Sequence, residues 1–203
     1  MKARRVELSL PIEAGTLPDP EDAVPVFHAW IGDETLGEVL VDVARYGHVA
    51  NAPAVILVGL LSDYAIEVTP VGQRFAAVRK RDAATEEDRL GDVAERLLSA
   101  ARLFGLALPQ VRFRTDELTL RVLDRLNAPN TPETFTRIAE EVGVFARAWL
   151  GEVRLEHAAD LAAPLAIRIH RSLNEPLDAL ASRSPGRTGR STHKKVTGPF
   201  RDP

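Results

Sequence analysis

Five side chains able to bind a ligand or exchange a proton crowd one short stretch. In VDVARYGHVANAPAVILVG, residues 41–59, Asp42, Arg45, Tyr46, His48 and Asn51 sit between or beside two apolar runs. A carboxylate near a guanidinium or imidazole favours the charged form of each partner, and strand ends with their loops are where scaffolds present functional groups. One expectation is therefore a small polar, ligand-binding pocket built from these five residues. The other is a plain solvated connection, with Asp42 at the sheet margin, the Tyr46 hydroxyl turned outward and His48 in water.

A second concentration of charge lies at the C-terminus. Residues 183–203 carry six Lys or Arg against one Asp, a net +5, which leaves 20 basic and 28 acidic groups, or −8, on the other 182 residues. Arg183, Arg187, Arg190, Lys194 and Lys195 could neutralise nucleic-acid phosphates without reading sequence. Phe200 is the only aromatic residue there, so base stacking has little provision. The same charge also suits a solvated tail on an acidic body.

Other chemistry is thinly provided. None of the phosphate-loop, dinucleotide, zinc-protease, nucleophile-elbow or EF-hand patterns occurs. The absence of cysteine excludes disulfides, thiolate zinc sites and cysteine nucleophiles. Of the five histidines, His28, His48, His157, His170 and His193, no two share a ligand spacing on one helix, so no metal site is expected. The connector NAPNTPET could offer free N–H groups to an anion at a helix start, although capping by Thr131 and turn preference for Asn127 and Asn130 account for the same residues. The residues name no cofactor and no catalytic group.

The elements that would position these groups follow from periodicity. RRVELSLPI alternates as a strand with Val6, Leu8 and Leu10 buried and the intervening residues wet. Pro25 starts a short helix with Val26, Phe27, Trp30 and Ile31 on one stripe. EVLVDV and AVILVGL read as strands, the second apolar on both faces as a central strand would be. In the first of these, Val39, Val41 and Val43 would share one face and Leu40 and Asp42 the other. DYAIEV and RFAAVRK form a hairpin about the Pro70–Gly72 turn. A long helix is expected from a Thr85 cap to Gly105, with Leu90, Val93, Leu97, Leu98 and Phe104 inward. QVRFR and ELTLRVL follow as strands, the second also compatible with a helix. Thr131 and Pro132 open a second long helix that buries Phe135, Ile138, Val142, Phe145 and Trp149 and ends at Gly151. EVRLEH and LAIRIHR complete the strands, and EPLDALA adds one helical turn.

The expected fold is α+β, a mainly antiparallel sheet with two long helices and one short helix packed on one face. The order helix, strand, strand recurs over roughly 24–60, 85–124 and 131–171. Residues 1–182 form one such domain and 183–203 a disordered basic tail. The longest apolar run, residues 52–61, is half the roughly 20 residues that span a bilayer, and the first residues lack the apolar core of a secretory signal. The segments VPVFHAWI, LVDVARYGHV, VILVG and DYAIEV together resemble the N-terminal signature of a family of small bacterial proteins of about 200 residues, to which no activity attaches. The resemblance covers about residues 24–68, departs at NAPA, where a Gly-Pro-Gly turn would stand, and lends no site residue. It implies a bacterial, cytoplasmic protein. The reading these patterns favour is a cytoplasmic binding or accessory protein without catalysis, with a protein partner or self-association and no membrane. The alternatives are a small-molecule enzyme or ligand-binding protein with its pocket at 42–51, and an RNA- or ribosome-associated protein using the tail.

Overall fold

A computed structural model describes residues 5–49, 52–80, 89–158 and 163–183. Among them the chain forms β1 (Val6–Pro11), α1 (Ala23–Gly32), β2 (Leu40–Arg45), β3 (Val55–Gly59), β4 (Ser62–Thr69), β5 (Gly72–Arg79), α2 (Arg89–Ala107), β6 (Glu117–Val122), α3 (Pro132–Leu150), β7 (Arg154–Ala158), β8 (Leu165–His170) and α4 (Leu177–Ser182). The fold is α+β. All eight strands join one sheet in the order β2-β3-β4-β5-β1-β6-β8-β7, and every pairing is antiparallel. No helix among the described residues is long and apolar enough to cross a membrane. Asn51, Arg187, Arg190, Lys194 and Lys195, and the expected cap at Thr85, lie outside the described residues.

Local chemistry explains the boundaries that agree with expectation. Thr131 Oγ1 accepts the Thr134 N–H at 3.3 Å, with Pro132 at the first helical position, and Gly151 closes α3 at φ +80°. A left-handed residue at that point suits glycine because it has no Cβ to clash. The β4–β5 hairpin pairs Thr69 with Gly72 around a two-residue turn. Residues 117–122 are a strand, where tertiary pairing with β1 and β8 decides between two local readings.

Four expectations are corrected. The first strand is buried along its whole length, Glu7 and Ser9 included, because it lies mid-sheet between β5 and β6. The apolar run of β3 belongs one place from the sheet edge, so Ile56 and Val58 stay half exposed. Residues 110–114 supply only an isolated bridge, Ile12 to Phe113, so the second helix is followed by one strand instead of two. Phe135 and Phe145 are half-buried at the edge of the core.

The core joins the helices to the sheet through aromatic rings. Phe75 of β5 lies 5.2 Å from Phe104 of α2 and 6.5 Å from Phe27 of α1, centroid to centroid, and Phe27 meets Trp30 and Phe104 at 5.5 and 5.9 Å. At the far end, Phe135 of α3 stacks on His157 of β7 at 4.9 Å. Truncating the fully buried Phe75 to Ala should cost about 3–5 kcal/mol, read as a lowered denaturant midpoint with an unchanged folded-state spectrum.

Candidate functional site

The loop between α1 and β2 carries an acidic side chain that ends up almost entirely inside. Glu38, its side chain 2 % exposed, accepts four hydrogen bonds. Oε2 takes the N–H groups of Leu61 and Ser62, both at 3.0 Å, and Oε1 takes the Tyr64 hydroxyl at 2.7 Å and Arg96 Nη1 at 2.9 Å. Arg96 Nε continues to Asp92 Oδ2 at 3.0 Å, and Arg79 Nε reaches the same oxygen at 2.7 Å. One chain of polar contacts thus ties the 33–39 loop, the β3–β4 turn, β4, β5 and α2. Gly59 makes the turn possible: a Cβ there would stand 2.4 Å from the Ser62 carbonyl oxygen and 3.2 Å from Glu38 Oε2.

The electrostatics follow from burial and pairing. Burial first, and then the Glu38 carboxylate, push the Tyr64 hydroxyl well above the usual phenol range, so it remains a donor. Burial works against an ionised Asp92, yet Arg96 and Arg79 outweigh it and hold Asp92 below the usual carboxylate range. All four acceptor positions of Glu38 are filled, which leaves none for a substrate proton. A cleft of about 390 Å³ runs beside the network, bordered by Thr35, Leu36, Glu38, Tyr64, Arg96 and Leu103. The arrangement holds a shape.

What it holds is an apolar edge. Val39, Val41 and Leu60 are 62 %, 61 % and 63 % exposed, and the Leu60 N–H donates to the Val39 carbonyl at 2.8 Å, so these residues adjoin. Val41 is the extra residue of a bulge: Leu40 pairs with Gly59 but Asp42 with Val58. A bulge resets alternation. Leu40 and Val43 therefore both pack toward the core while Val39, Val41 and Asp42 are exposed, which overturns the expected grouping of Val43 with Val39 and Val41.

Of the residues singled out in the sequence, Asp42, Arg45, Tyr46 and His48 lie on or just beyond β2. Asp42 Oδ1 accepts the N–H of Val43 at 2.8 Å. Arg45 pairs with Glu21 at 3.4 Å. Tyr46, exposed, donates its N–H to Ala54 O and accepts from Val49 N–H, both at 2.8 Å, and His48 is exposed in the same turn. Arg183 pairs with Glu175. His28 is exposed on α1, and His157 bonds Asn130 at 2.6 Å. No metal-holding group of His, Asp or Glu occurs among the described residues. Glu38, Tyr64, Asp92 and Arg96 belong to no motif that marks them in the sequence. Only the i, i+4 spacing of Asp92 and Arg96 on α2 signalled any of it.

On the opposite face of the sheet, Arg121 Nε bonds Glu7 Oε1 at 2.5 Å and its Nη2 bonds Glu67, while Arg74 reaches Ser9 Oγ at 3.0 Å and Glu117 Oε1 at 2.8 Å. Burial, with Glu67 beside it, pushes the Glu7 carboxyl up to about 7 in spite of Arg121. No protein-family model matches the chain, and no curated protein matches it. The resemblance over residues 24–68 accordingly brings no site residue with it.

Two outcomes follow. Glu38→Ala should destabilise the fold by about 3–5 kcal/mol, as expected when one partner of a buried ion pair is removed, and Tyr64→Phe by about 1.5–3 kcal/mol, with the double variant less than additive in denaturant titration. Glu7 holds its proton more tightly when folded than at the ordinary value of 4.5, so the folded chain binds more protons between those two pH values and loses stability as pH rises from about 4.5 to 7. Glu7→Gln should remove this slope, so its denaturant midpoint gains on wild type across that window.

Proposed function

We propose that the protein is a cytoplasmic binding protein without catalysis of its own, and that it takes up an extended polypeptide segment along the outer edge of β2. The observation that carries this is the set Val39, Val41 and Leu60, solvent-exposed at a sheet end yet anchored by a buried network. Sheet edges are commonly guarded by charge. The other terminal strand, β7, follows that rule, with Arg154 and Glu156 along it; β2 carries Asp42 and Arg45 but also the exposed Val41, with Val39 and Leu60 beside it. In this reading α1, α2 and α3 form a single layer over the apolar face, supported by the ring contacts of Phe27 and Phe104 with Phe75 and of Phe135 with His157. A chain free of cysteine fits a reducing compartment.

Asp42 has a defined part in this reading. The Tyr46 N–H turns toward β3, so alternation puts the N–H groups of Val43 and Arg45 on the outer edge. The Asp42 carboxylate covers the first of them. A partner strand supplies a carbonyl in its place, and the exposed valines receive its apolar side chains, as in β-strand addition. The carboxylate and the bulge discourage indiscriminate pairing until such a partner arrives.

Selection from a random-peptide library, followed by fluorescence polarisation with the best binder, tests this. Binders should carry apolar residues at alternate positions. Val41→Lys should weaken binding by about tenfold or more, roughly 1.4 kcal/mol, and Asp42→Ala should tighten it, both with unchanged thermal midpoints. If no peptide is selected, or if Val41→Lys binds as well as wild type, the reading falls. Binding lost only on deleting residues 183–203 would move the function to the tail.

A further inference from the structure

At the far end of the sheet from β2 lies a second cleft, of about 550 Å³, where α3, β7 and β8 come together. Its wall holds Arg147, Arg154, His170 and Arg171 against one carboxylate, Glu152. The nearby acids are shared thinly. Glu156 alone serves Arg154 at 3.4 Å, Arg168 at 3.0 Å and His170 at 3.2 Å. Glu175 serves both Arg171, at 2.6 Å, and Arg183. Glu117, 3.9 Å from His170, is already bonded to Arg74 at 2.8 Å.

Two donors in this wall have work left to do. Arg147, exposed on the last turn of α3, folds over Gly143, where a Cβ would stand 3.1 Å from its Nη1. The helix carbonyls at that end favour its charge but do not occupy all five of its N–H groups. Arg171 is buried, its side chain 2 % exposed, and while its Nη groups bond Thr115 O and Glu175, its Nε has no partner. A cation held this far from water is favoured by a negative charge close by, and an anion in the cleft would supply one.

We propose that this cleft binds the phosphate group of a small molecule, with Arg147 and Arg154 in direct contact and Arg171 forming the positive floor. Guanidinium forks match phosphate oxygens in pairs, and two of them from different elements, above a third, buried positive charge, suit a phosphate dianion better than a carboxylate, which one fork satisfies. The volume lies within the roughly 300–1,000 Å³ usual for small-ligand sites. The site is independent of the β2 edge.

Inorganic pyrophosphate, titrated calorimetrically into the full chain at fixed ionic strength, is the probe. Wild type should bind it measurably, Arg147→Gln and Arg154→Gln should each weaken binding by about fivefold or more, and Val41→Lys should leave it unchanged. Both arginines are exposed, so their loss should spare the fold, which circular dichroism checks. Citrate should bind more weakly. Vesicles containing phosphatidate form a parallel arm: capture of the protein by them, abolished by Arg147→Gln, with free pyrophosphate also bound, would place the phosphate on a lipid headgroup. No heat of binding, binding equal in the arginine variants, or citrate bound as tightly as pyrophosphate overturns the proposal. So does an oligonucleotide bound through the same arginines when pyrophosphate is not.

Discussion

The β2 end of the molecule depends on where one buried carboxylate finds its four donors. Glu38 sits in a loop with no secondary structure of its own, and its bonds reach a turn, a strand and a helix. A carboxylate is costly to bury, and the cost is offset only when its lone pairs are filled. That condition fixes the loop in one place. The exposed valines beside it owe their position to the network more than to their own packing.

The two ends of the sheet are chemically unlike. One terminal strand shows apolar side chains, a bulge and a carboxylate over an outward N–H. The other shows alternating charge and borders a cationic cleft. Between them, long charged side chains of β1, β4, β5 and β6 bond to one another across the sheet face. Ser9, Ala65 and Ala76, all buried, leave room for those long side chains to lie down.

What was legible in the sequence is what depends on near neighbours. The cap and stop of α3 and the β4–β5 hairpin follow from local stereochemistry and periodicity. Strand order does not: Val6, Leu8 and Leu10 announce a half-buried strand, and nothing local says that Arg121 and Arg74 arrive to cover Glu7 and Ser9. The run of β3 looked central because apolar density reports burial, and burial near an edge under α1 reads the same. The bulge at Val41 leaves no mark in an alternating pattern, so the parity around Asp42 was misassigned. Glu38 was invisible beside Asp33 and Glu34, since its partners Tyr64 and Arg96 lie far along the chain. Arg45, Tyr46 and His48 are conspicuous by type; Arg45 is exposed at the end of β2, and Tyr46 and His48 in the turn beyond it.

The place of β1 has a consequence for how the chain is made. Val6 is paired with Arg79 on one side and with Val122 on the other. Synthesis runs from the N-terminus, and domains form as their parts emerge. β1 therefore waits for its second neighbour until β6 has emerged, and contacts so distant in sequence slow folding. Until residue 121 appears, Glu7 lacks its guanidinium, so a half-sheet of β2 to β5 with β1 at its rim would keep that carboxylate wet or protonated. Among the described residues, the same strand joins two antiparallel halves that have no other strand pairing between them. Loss of β1 would split the sheet down its middle.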